Sequence, residues 1–216
     1  RNERERHLAS LGEMSAVMAH EIRNPLASLK GHAQLLGEQL DTDSPLQKKV
    51  VRIVNEAKRL EELTSTLLDL VRSSAIAPQP TDPGQLLNDV AQALAADRII
   101  VDVAAAPATW SLDPLRMEQV LRNLLENALQ ASPVDGVVEA SVSVERGKLL
   151  LRVRDHGPGL PPGTEQLIFE PFHTTRTQGT GLGLAVARRI VEQHGGQISA
   201  ENHADGGALF TLMIPG

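Results

Sequence analysis

Core-type positions in the first forty residues fall at Leu8, Leu11, Ser15, Met18, Ile22, Pro25 and Leu29. This 3-4-3-4 alternation predicts a helix over residues 2–40 with one buried seam. Asp41-Thr42-Asp43-Ser44-Pro45 reads as a turn, with Ser44 suited to cap a second helix and Pro45 suited to begin it. The second seam, Leu46, Val50, Ile53, Ala57, Leu60, Thr64, Leu67 and Val71, repeats the spacing, so an antiparallel hairpin is expected. Further apolar residues, among them Met14, Val17, Leu26, Leu36, Val54 and Leu63, widen the stripe beyond what one partner covers. Two hairpins closing into a four-helix bundle would cover it, which makes a homodimer the expected state. A monomeric hairpin packed on the following domain is the alternative.

Three prolines between residues 73 and 83 interrupt the pattern, so residues 75–83 are expected to be a linker between a first domain, 1–74, and a second, 84–216. Beyond them the period changes. Helices are predicted near 83–97, 113–131 and 182–194, the last stopped by Gly195-Gly196. Strands are predicted near 99–103, 137–145, 148–154, 197–202 and 208–214, with a short segment around Trp110. Arg146-Gly147 and Asp205-Gly206-Gly207 make the hairpin turns. The expected class is therefore α followed by α/β: a helical hairpin, then an α/β sandwich whose mixed sheet carries helices on one face.

Composition narrows the field. Of 216 residues, 41% are hydrophobic and only 2% aromatic, so the cores must be built from Leu, Val, Ile and Ala. Residues 1–80 carry 11 basic against 11 acidic residues and the remaining 136 carry 10 against 16, so neither half offers a basic surface for nucleic acid. Without cysteine there is no disulfide framework and no thiol chemistry. No apolar run approaches the ~18 residues of a membrane span. The chain opens at Arg1 inside what reads as helix, so it is expected to be a fragment whose missing part could be membrane-bound.

Four stretches look chemical. At about 100° per residue, His20 lies opposite the Met18–Ile22 seam and so points away from the bundle. An ordinary solvated histidine is the plain alternative, but Glu21 follows it, Asn24 shares its face at i+4, and Pro25 removes the amide that would bond the Glu21 carbonyl. The helical zinc motif His-Glu-x-x-His is excluded because position 24 is asparagine. In the helix 113–131, Asn123 and Asn127 project opposite Leu121, Leu124, Leu125 and Ala128, as a solvated pair or as oxygen ligands for a hard cation. Asp155-His156-Gly157-Pro158-Gly159 follows a strand, as a simple turn or as an acceptor for an exocyclic amine with glycines admitting a flat ligand. Gly179-Thr180-Gly181-Leu182-Gly183-Leu184 opens a helix, where free amides favour phosphate. It is neither a Walker loop nor a dinucleotide fingerprint. The segment before it, with Phe169-Glu170-Pro171-Phe172-His173-Thr174-Thr175-Arg176, suits a movable lid, and Arg176 would meet phosphate charge.

In order, these stretches resemble the H box (His20 to Leu26), N box (Asn123 to Ala128), G1 box (Asp155 to Gly159), F box (Phe169 to Phe172) and G2 box (Gly179 to Leu184) of the sensor histidine kinases of two-component systems. The wording of the first box and the Thr174-Thr175-Arg176 lid resemble the nitrogen-regulatory and zinc-responsive members most. The resemblance covers essentially the whole chain. It implies a Bergerat-type ATP-binding fold, ATP-dependent autophosphorylation of His20, and transfer to an aspartate of a response regulator receiver domain. It further implies that Asp155 holds the adenine amino group beside Gly157 and Gly159, that Asn127 and Asn123 bind Mg²⁺, and that residues 179–184 cradle the phosphates. Glu21 would be the general base, and Asn24 would orient water for a phosphatase activity. A cytoplasmic core is expected, with or without an inner-membrane anchor elsewhere. Gln130 departs from the pattern, standing where some relatives place a phosphate-contacting lysine. Two other readings stay open: a silent dimeric scaffold, and an ATPase of the Hsp90, gyrase and MutL kind, where a glutamate usually stands at the place of Asn123.

Overall fold

The structure is a computed structural model and describes residue 22 and residues 24–40, 44–71, 75–95, 97–174 and 181–216, without the side chains of 62 and 65–71. The chain divides into two compact units, 1–74 and 75–216.

In the first unit, residues 24–38 form helix α1 and Pro45–Val71 form α2. Ser44 caps α2 by accepting the Leu46 amide on its Oγ at 3.3 Å. Lys30 pairs with Glu61 at 2.6 Å. At the other end, a Cβ on Gly37 would sit 3.0 Å from Val50 Cγ1. Residue numbers rise along one helix as they fall along the other, so the pair is antiparallel, as the spacing predicts. Helix lies on both sides of Pro25.

Burial splits the expected seams into two rows. Val50 and Ala57 are buried, whereas Leu46, Ile53 and Leu60 are exposed, Ile53 by 45%. In α1 the inward row is Leu26 and Ala33, continued by Leu40 just past the helix end; Pro25, which the pattern placed on the seam, is exposed. Leu29 and Leu36 form the exposed row of α1, and Ile22, a helical residue seven before Leu29, extends it. Each exposed row repeats every seven residues, the period of a face that meets another helix.

The second unit opens with strand β1 (Gln79–Thr81), paired antiparallel with β3 (Trp110–Leu112). Residues 75–83, expected to be a linker, are thus tied into this unit, and the Ala77 amide donates to Asp113 Oδ2 at 2.9 Å. Helices α3 (Pro83–Ala95), α4 (Pro114–Ala131) and α5 (Gly183–Gln193) follow the predicted spans. So do strands β2 (Ile99–Ala105), β4 (Val138–Glu145), β5 (Lys148–Arg154), β6 (Gln197–Asn202) and β7 (Ala208–Pro215). These five make a sheet of order β2-β4-β5-β7-β6, parallel between β2 and β4 and antiparallel elsewhere.

Alternation gives the sheet one apolar face. Ala140, Val142, Leu149, Leu151, Val153, Phe210, Leu212 and Ile214 are buried, and the register aligns them across β4, β5 and β7. The apolar sides of the three helices cover them, with Leu121, Leu124 and Leu125 of α4 and Val186, Ile190 and Val191 of α5 buried. The other face carries Glu139, Ser143, Arg152 and Thr211, with Arg152 paired to Glu145 at 2.7 Å. This is the expected sandwich. Among the described residues no helix is long and apolar enough to cross a membrane.

Candidate functional site

Helix α4 is fixed at its start by Asp113, whose Oδ1 accepts the Arg116 amide at 3.2 Å and whose Oδ2 accepts that of Ala77. The Asp113 amide donates in turn to His194 Nε2 at 3.0 Å, at the far end of α5. Burial pushes the Asp113 carboxyl up, but the Ala77 and Arg116 amides, with the charge of Arg116, outweigh it and leave it below the usual carboxylate range.

From this anchored helix Asn123 and Asn127 project as a half-buried pair rather than the solvent-exposed face expected of them. The reason lies in α5: Asn123 Nδ2 donates to the Gly183 carbonyl at 3.1 Å, in that helix's first turn. Leu182, just before α5, is fully buried, and its carbonyl accepts the Val186 amide at 2.9 Å. Its side chain therefore serves the core, and only its backbone can meet a ligand. Gly181 has φ +66°, and a Cβ there would stand 2.7 Å from the carbonyl carbon of Phe172, whose amide donates to Gly181 O at 3.0 Å. Leu184 is half-buried. The first-turn amides of such a helix have no partner inside it, which suits an anion.

The third wall is the loop after β5. Asp155 is 4% exposed. Its Oδ1 accepts the amides of Gly157 at 2.9 Å and Ala208 at 3.1 Å. Its Oδ2 has no hydrogen bond to any described residue. The glycines of this loop answer to packing as well as to any ligand. A Cβ on Gly157 would lie 2.5 Å from the Ala131 carbonyl oxygen at the end of α4, and one on Gly159 (φ +77°) would lie 2.5 Å from Asn202 Oδ1. The His156 amide donates to Ser132 Oγ at 3.1 Å, closing the loop on the end of α4.

Thus Asn123, Asn127, Asp155, Gly157, Gly159, Gly181, Leu182, Gly183 and Leu184 belong to three neighbouring elements of one unit. Asn24 is exposed on α1 in the other unit. His20, Glu21, Thr175, Arg176, Gly179 and Thr180 lie outside the described residues. Periodicity missed Asn202, Gly207 and Ala208, which support Asp155 and its loop. The Gly206-Gly207 pair marked a turn, and nothing local marked the other two.

Residues 10–76 match the family model of the His Kinase A (phospho-acceptor) domain, and residues 112–216 that of the histidine kinase-, DNA gyrase B-, and HSP90-like ATPase. Over 98% of its length the chain is 39% identical to the sensor histidine kinase ZraS of Klebsiella oxytoca, covering 47% of that protein. It spans about half the length of the curated relatives it matches. Among solved structures it resembles full-length ShkA in complex with AMPPNP, with a TM-score of 0.81 and 29% identity over 94% of this chain and 46% of that one. Histidine kinase ThkA in complex with the response regulator protein TrrA gives a TM-score of 0.72 and 30% identity, over 99% of this chain and 64% of that one. The catalytic domain of ThkA by itself is 30% identical and matched over 96% of its length by 65% of this chain, with a TM-score of 0.60. A phospho-acceptor hairpin and an ATPase-type globule, matched in that order along one chain, place it in the family of sensor histidine kinases.

Proposed function

We propose that the second unit binds ATP with Mg²⁺, that His20 takes the γ-phosphoryl group, and that the group passes to an aspartate of a response regulator receiver domain. Asp155 carries the proposal. One carboxylate oxygen is locked by two backbone amides and the other has no donor among the described residues, so an acceptor of fixed direction is open to a ligand N–H. The amino group of adenine supplies the missing donor.

Around it, the amides of Gly181, Leu182, Gly183 and Leu184, with Gly179 and Thr180, meet the phosphates, while Thr175 and Arg176 approach the transferring group. The carboxamide oxygens of Asn127 and Asn123 are neutral hard donors, which fits a magnesium ion whose charge is balanced by the nucleotide. An ion held by these two asparagines would supply charge neutralisation for the phosphates. One imidazole nitrogen of His20 attacks the γ-phosphorus as the bond to the ADP oxygen breaks, and Glu21 accepts the proton from the other nitrogen.

The exposed rows on α1 and α2 support a homodimer closed as a four-helix bundle. ShkA was solved with AMPPNP and ThkA with a response regulator protein, which supports the substrate and the partner. Asn24, an exposed residue of the H box, would orient water against the regulator's phosphoaspartate, giving a phosphatase activity. The core would work in the cytoplasm, where nucleotide and regulator are found, whether or not the longer protein is anchored in a membrane.

Incubation with labelled ATP and Mg²⁺ tests the proposal. Acid-labile, base-stable label is expected on the chain and none on His20→Gln. Label that survives the substitution, or no label on the parent chain, overturns it.

A further inference from the structure

The loop from Asp155 to Leu160 is strapped to the sheet at both ends. At its start the Asp155 amide donates to Ala208 O at 2.9 Å, and the Ala208 amide donates to Asp155 Oδ1. At its end the Leu160 amide donates to Asn202 Oδ1 at 2.6 Å, and Asn202 Nδ2 donates to Leu160 O at 3.0 Å. Asn202 and Ala208 are directly paired across β6 and β7. One rung of the sheet therefore holds both ends of a loop that is otherwise His156, Gly157, Pro158 and Gly159.

From this juxtaposition we infer that Asn202 is a positioning residue for the adenine nucleotide, acting through the backbone of Gly159 and Leu160. This rests on the assignment of the Asp155 loop to the base. A carboxamide is the side chain that presents an acceptor and a donor side by side, so it can satisfy the N–H and C=O of one residue together. Aspartate offers acceptors only and would set a second oxygen against Leu160 O. Gly159 completes the fit, since any side chain there would strike the Asn202 oxygen. Asn202 is exposed and adds no apolar burial to the core. Its loss should therefore be felt in nucleotide affinity far more than in folding.

The test uses the full 216-residue chain, with calorimetry of magnesium-ADP uptake and the ATP dependence of label incorporation. Asn202→Ala is expected to raise the dissociation constant and the half-saturating ATP concentration roughly fivefold, as loss of two exposed hydrogen bonds implies. The rate at saturating ATP should stay within about twofold. Asn202→Asp, of nearly the same shape, should weaken binding similarly, so a poorly folding alanine variant leaves the inference testable. Nucleotide affinity unchanged in both variants, or a fall in the saturating rate at constant half-saturation, overturns it. No uptake by the parent chain would instead overturn the nucleotide-binding proposal itself.

Discussion

Gly206 and Gly207 are adjacent, both with positive φ (+91° and +80°), yet the structure treats them differently. A Cβ on Gly206 meets nothing within 4 Å, whereas one on Gly207 would overlap the carbonyl oxygen of Asp155 and crowd His156 Cα at 3.1 Å. Alanine at either position holds an L-residue in a left-handed conformation, at about 1–2 kcal/mol. Only Gly207→Ala adds the overpacking cost of about 1–3 kcal/mol. The expected losses of unfolding free energy are therefore about 1–2 kcal/mol for Gly206→Ala and about 2–5 kcal/mol for Gly207→Ala. The collision also displaces Asp155 and loosens its bond from the neighbouring Ala208 amide, so Gly207→Ala should lose magnesium-ADP affinity while Gly206→Ala keeps it. Urea unfolding followed at Trp110, the single tryptophan, reads stability in the unit that carries both glycines. Calorimetry on each folded variant reads affinity. Equal midpoints and equal affinities for the two variants would refute the reasoning.

Three further outcomes are expected. Because the Asp113 carboxyl lies below its ordinary 3.8, its stabilisation is complete above that value and is lost as pH falls through the lower folded-state value. Asp113→Asn keeps the cap but loses its charge, and should thus cost about 1 kcal/mol near neutral pH, the difference between hydrogen bonds to a charged and to a neutral acceptor. The gap from the parent in urea midpoints should close as the pH falls below 3.8, and a gap that widened in acid would contradict the assigned partners. Ile53→Asp, on the exposed row of α2, should shift the chain from dimer to monomer in sedimentation velocity, and an unchanged dimer would remove that row from the interface. Asn24→Ala should abolish dephosphorylation of a phosphorylated regulator yet spare label on His20, and loss of both activities together would contradict the separate roles.

Much of this architecture could be read along the chain because its signals are local. Arg146-Gly147 sits between two alternating runs and takes positive φ at both residues (50° and 73°), the geometry of a tight hairpin turn. Gly195, after the last helix, has φ +71°, as a helix stop requires. What stayed hidden depends on partners distant in sequence. β1 is Gln-Pro-Thr, without alternation, and exists because Trp110–Leu112 lies alongside it. The parallel pairing of β2 with β4 follows from chain path, which no period records. In the hairpin, Val50 and Ile53 obey the same 4-3 spacing, yet one is 5% and the other 45% exposed. Periodicity finds a stripe but not which partner each row meets. At the candidate site the motif residues were legible, whereas the rung behind them, Asn202 with Ala208, joins the loop only through the folded sheet.

The two units bury their apolar residues by different means. The globule closes its core between its own sheet and helices, so its persistence is a property of one molecule. The hairpin leaves Ile22, Leu29, Leu36, Leu46, Ile53 and Leu60 at its surface. Pairing through those rows makes its folding a second-order event, governed by how many copies share the volume. Dilution then acts on one unit of the chain and spares the other, and a lone melting temperature describes neither.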